Sequence, residues 1–119
     1  MPSQPLPNYL RTHRKRLGLS QDDLAYLLGC RSGTKVSRYE RFRRQPKLAT
    51  VFAFEVIVGV PARKLFAGLY VSAERDVVRR AEALLHELAG HPDSARLRRR
   101  TVALNAVLGA VTGRDDDSE

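Results

Sequence analysis

The stretch SQDDLAYLLGCRSGTKVSRYE, residues 20–40, holds two short amphipathic segments on either side of a small-residue break, and it leaves a chain few ways to fold. Ser20 is placed to cap a helix, and Asp23, three residues on, completes a capping box with aspartate standing for glutamate. Asp22 and Asp23 put negative charge at the positive end of that helix. Leu24, Leu27 and Leu28 are expected on its buried side, and Gly29 closes it in the left-handed conformation that glycine accepts. A second helix is predicted from about Gly33 to Phe42, with Val36 and Tyr39 inward and Thr34, Lys35, Arg38 and Arg41 left for other faces.

The flanks extend the helical pattern. A helix from about Pro7 to Arg16 places Leu10, His13 and Leu17 on one face, and Gly18 ends it. After a basic loop, RRQPK, the segment LATVFAFEVIVG is apolar nearly all round and is expected to be the central core helix. A fifth helical turn lays Leu65 and Phe66 over that core. Ser72 is expected to cap a helix to about Ala89 with Val78, Ala81, Leu85 and Leu88 at a/d-like spacing. GHPDS breaks it, and Asp93 or Ser94 starts another helix with Leu97, Leu104, Leu108 and Val111 in one stripe. GRDDDSE reads as a disordered acidic tail. The fold class is therefore all-α, with five helices in residues 1–70, a two-helix extension in 71–112 and a tail in 113–119.

Composition narrows the function classes. With 119 residues, 43% hydrophobic and 29% charged, the chain suits one compact soluble domain with a short appendage rather than a disordered chain or a two-domain enzyme. Its longest apolar run, Leu48 to Val60, contains Glu55 and is too short to span a bilayer, and MPSQPLP lacks the pattern of a signal peptide, so a cytoplasmic protein is expected. The single cysteine, Cys30, can form neither an internal disulfide nor a multi-cysteine zinc site. His13, His86 and His91 have no clustered carboxylate or cysteine partner, and no nucleophile, dyad or phosphate loop is present. No enzyme, cofactor or metal is expected.

The charge points to a partner. Residues 1–70 carry +9 and residues 71–119 carry −1, so the positive field belongs to the first part alone. Such a region draws polyanions, of which nucleic acid is the commonest. Two helices joined by a short turn form the helix-turn-helix arrangement, whose second helix enters the major groove and meets base edges with its exposed side chains.

LRTHRKRLGLSQDDLAYLLG, followed by VSRYER, resembles the Cro and phage-repressor-like helix-turn-helix family of the xenobiotic-response-element type, over residues 10–66. The resemblance implies a lambda-repressor-like domain in a bacterial or phage transcriptional regulator that binds double-stranded DNA as a homodimer on an inverted repeat. It implies base reading by Thr34, Lys35 and Arg38, with Lys35 also within reach of a phosphate. Phosphate contacts fall to Gln21, Ser32, Arg41, Arg43, Arg44 and Lys47. Arg14 and Glu40 match a buried structural ion pair. Two features depart from the family: CRSGTK is one residue longer than the commonest spacing, which leaves open where the reading helix starts and hence which of Ser32, Gly33 or Thr34 points into the groove, and Phe42 stands where glycine is common. Tyr39 and Cys30 read as core residues. LRRRT, residues 97–101, reads as the polar side of a helix. The alternative function is a protein-binding module, an antitoxin or coactivator, that uses residues 72–111 for a protein partner.

Overall fold

The computed structural model describes residues 5–117, with side chains described as far as Val111. Among the described residues there are seven helices and no strand: α1 (Leu10–Arg16), α2 (Gln21–Leu27), α3 (Gly33–Glu40), α4 (Leu48–Val58), α5 (Ala62–Leu65), α6 (Ala67–Leu88) and α7 (Ala95–Asp117). The chain divides into two compact units at Val71 and Ser72, inside α6.

In the first unit, Leu10, Leu24, Ala25, Val36, Tyr39, Phe54, Leu65 and Phe66 form one buried cluster. Phe54 stands at its centre, edge-on to Tyr39 at 5.9 Å between ring centroids and to Phe66 at 6.2 Å. Such edge-to-face pairs set the positive edge of one ring against the negative face of another.

Three helices close in the same way. Gly18 (φ 73°), Gly29 (φ 77°) and Phe42 (φ 64°) each follow the last turn in a left-handed conformation. The next amide in each case bonds back six residues' span into the helix: Leu19 to the Arg14 carbonyl (3.2 Å), Cys30 to Ala25 (2.8 Å) and Arg43 to Arg38 (2.9 Å). This is the Schellman arrangement, which satisfies carbonyls that the helix end would otherwise leave open. Phe42 thus builds the turn after α3 that glycine would build, and α3 stops at Glu40 rather than reaching Phe42.

Several expectations are corrected. Helix α1 opens at Leu10 instead of Pro7, because buried Asn8 accepts the Leu10 amide (3.1 Å) while donating to the Tyr39 carbonyl (2.9 Å). On α2, Leu24 and Ala25 are buried and Leu27 is exposed, since 24, 25 and 28 face the core. Helix α4 buries only Phe54 fully; Leu48, Phe52 and Val56 form an exposed stripe at four-residue spacing. Helix α6 starts at Ala67, directly after Phe66, so Ser72 is an interior residue and not a cap.

In the second unit, Ala81 and Leu88 of α6 are buried and Val78 and Leu85 half-buried. Ser94 accepts the Leu97 amide through its hydroxyl (3.0 Å) and so opens α7. The backbone of α7 is helical through Asp117, so residues 113–117, expected as a disordered tail, continue the helix; 118 and 119 lie outside the described residues.

Candidate nucleic-acid interface

The expected cap of α2 is formed in full. The Ser20 hydroxyl accepts the Asp23 amide (2.9 Å), and the Asp23 carboxylate accepts the Ser20 amide (2.9 Å). Hydrogen bonding to the carboxylate from the Ser20 backbone amide first, and from the Ser20 side chain second, holds the Asp23 carboxyl below its ordinary pKa. The turn then runs through Cys30, which is half-buried against the core, to Ser32. Ser32 is extended and caps α3, so the reading helix begins at Gly33.

Val36, Tyr39 and Glu40 turn inward, and Gly33 is buried as well. Thr34 and Arg38 are exposed, while Lys35 is half-buried. Two open clefts flank this row. One, of about 550 Å³, includes Gln21, Asp22, Arg38, Arg41 and Arg43 in its wall. The other, of about 410 Å³, includes Arg31, Lys35, Arg38 and Arg44. Thr34, Ser32 and Arg38 line both. Five arginines and a lysine therefore converge on the ridge formed by α3 and its two flanking loops. Lys47 is exposed, at the amino end of α4, and lines neither cleft.

Below the ridge, Arg14 Nε meets Glu40 Oε2 at 2.6 Å and Arg14 Nη2 donates to Glu40 Oε1 at 3.1 Å. Arg14 Nη1 donates to the Leu19 carbonyl (2.9 Å), and Gln21 Nε2 donates to Glu40 Oε1 (3.2 Å). The Glu40 hydrogen bond pushes the Arg14 pKa above its ordinary value, against the opposing effect of burial. These groups tie α1, α2 and α3 into one frame.

Three short helices tied into one frame, the third of them exposed and basic, are the parts of a helix-turn-helix domain. The model of the helix-turn-helix domain family matches residues 6–67, just over half of the 119 residues. The chain belongs to that family, in its Cro and xenobiotic-response-element branch. No curated protein and no solved structure gives a significant match. As a family member, the chain carries a DNA-binding domain in its first unit.

Arg31 escapes the sequence reading of this surface, and Asp22 enters it only as charge for the helix dipole. Arg31 lines the second cleft, and its only signal was a basic side chain in the turn. Asp22 accepts the Gly33 amide at 2.8 Å, a pairing across eleven residues that no local pattern announces. Among the described residues no group of His, Cys, Asp or Glu is arranged to hold a metal ion, and no helix is long and apolar enough to cross a membrane.

Proposed function

We propose that this protein is a sequence-specific transcriptional regulator, working inside the cell as a homodimer on an inverted-repeat operator. The supporting observation is Arg38: exposed in the last turn of α3, it lines both basic clefts. An arginine so placed can grip guanine O6 and N7 with two hydrogen bonds in the major groove. Thr34 and Lys35 join it in base reading. Gln21, Ser32, Arg41, Arg43, Arg44 and Lys47 meet phosphates, which fix register without specifying sequence. Arg14 and Glu40 act structurally.

In this reading residues 1–70 bind DNA and residues 71–112 pair two copies. One α3 reads few base pairs; two, held about 34 Å apart on one face of the duplex, multiply affinity and selectivity. Fluorescence anisotropy on random and selected duplexes over a salt series tests the reading. Wild type is expected to show a steep salt slope, about −0.9 per neutralised phosphate. Arg38→Ala should lose selectivity, and Arg43→Ala should weaken all duplexes evenly. Absence of duplex binding at low salt, or an even loss from Arg38→Ala, would sink it.

A further inference from the structure

The first turn of α2 touches α3 at both ends. Gln21 Nε2 donates to Glu40, the last residue of α3, and Asp22 Oδ1 accepts the amide of Gly33, its first. The approach at Gly33 is close: a β-carbon there would stand 2.9 Å from Asp22 Oδ1, 2.9 Å from Gln21 Cβ and 3.1 Å from the Gln21 backbone carbon. Only glycine fits without moving one helix against the other. The next amide, Thr34, is taken by the Ser32 hydroxyl at 3.4 Å.

We infer that Asp22 is a positioning residue for sequence reading: its carboxylate, against Gly33, sets how α3 presents Thr34 and Arg38 to the groove. This rests on the DNA-reading function proposed above. The amino end of a helix attracts phosphate through its free amides and its dipole. Here the Gly33 amide is claimed by a carboxylate of the same chain, which excludes a phosphate from it. The reading helix is therefore held from within the protein, and the grip on the DNA backbone passes to the arginines around it.

Removal of this bond has an unusual signature. Asp22→Ala frees the Gly33 amide and deletes one negative charge beside the interface, so binding to random duplex should hold or rise. Selected duplex should gain nothing, because α3 is no longer fixed, and the ratio of selected to random affinity should fall about tenfold, the equivalent of one good hydrogen bond. Asp22→Asn deletes the charge but keeps an acceptor oxygen; random binding should rise and the ratio should stay near wild type. Gly33→Ala should lose the ratio as Asp22→Ala does, since the added carbon forces the helices apart.

The experiment measures affinities of the full-length protein and these three variants for a selected and a random duplex at one salt concentration, with a thermal melt of each. A wild-type ratio in Asp22→Ala, or an equal loss in Asp22→Ala and Asp22→Asn, overturns the role of Asp22 while leaving DNA reading intact. A wild type without any preference between duplexes overturns the reading itself and this role with it. Should Asp22→Ala fail to fold, Asp22→Leu, which removes the acceptor but keeps the bulk, takes its place, and a ratio equal to that of Asp22→Asn overturns the role of Asp22.

Discussion

Arg14 and Glu40, 26 residues apart, face each other as a fork on a carboxylate, with side chains only 11% and 3% exposed. Both carboxylate oxygens are satisfied, and the third guanidinium nitrogen reaches the Leu19 carbonyl. A pair of this kind is costly to break, because the survivor is left charged and dry. Arg14→Ala or Glu40→Ala should each cost about 3–5 kcal/mol in urea denaturation. The double change Arg14→Met with Glu40→Leu should cost less than either alone, as no buried charge remains.

Phe42 holds a positive φ that glycine adopts freely. Phe42→Gly and Phe42→Ala both delete the ring, so the difference between them reports the backbone alone. The glycine variant should be the more stable by about 1 kcal/mol, in line with the left-handed penalty of an L-residue. In an ordinary loop or helix alanine would win. Equal midpoints in a urea titration would show that position 42 is not held in the left-handed region.

Asp23 supplies a pH dependence whose sign follows from its lowered pKa. The folded carboxyl binds its proton less readily than the unfolded one. Its contribution is therefore complete above the ordinary aspartate value of about 3.9 and is lost as pH falls through the lower folded value. Thermal midpoints of wild type and Asp23→Asn, followed from pH 6 down, should converge at the acid end; curves that stay parallel would refute the assignment.

Dimerisation through the second unit should be visible in solution. Light scattering of the full chain at micromolar concentration is expected to give twice the 13.4 kDa chain mass. Val77 on α6 and Val102 on α7 are 49% and 69% exposed, so Val77→Glu and Val102→Glu remove no core contact. They should lower the dimer fraction with little change in the melting midpoint. A monomer in the wild type would count against paired half-sites.

The sequence by itself determined what is written at short range. The Ser20 and Asp23 cap lies three residues apart, and Gly18 and Gly29 mark helix ends because backbone sterics favour glycine there. Val36 and Tyr39 fall inward, and Thr34 and Arg38 outward, because helical periodicity assigns them opposite faces. The motif that carries DNA binding was legible for the same reason.

Tertiary structure decided whatever had no local pattern. Helix α4 is so evenly apolar that periodicity names no inner face, and only packing against Tyr39 and Phe66 selected Phe54 over Phe52. Ala25 displaced Leu27 from the core because α2 meets α3 on that side. Asn8 with Tyr39, and Asp22 with Gly33, join residues 31 and 11 apart, and a hydrogen bond of that span depends on where the helices cross. Phe42 shows the converse: bonds from Arg43 to Arg38 and from its own amide to Tyr39 impose a left-handed turn on a residue whose side chain argues against it.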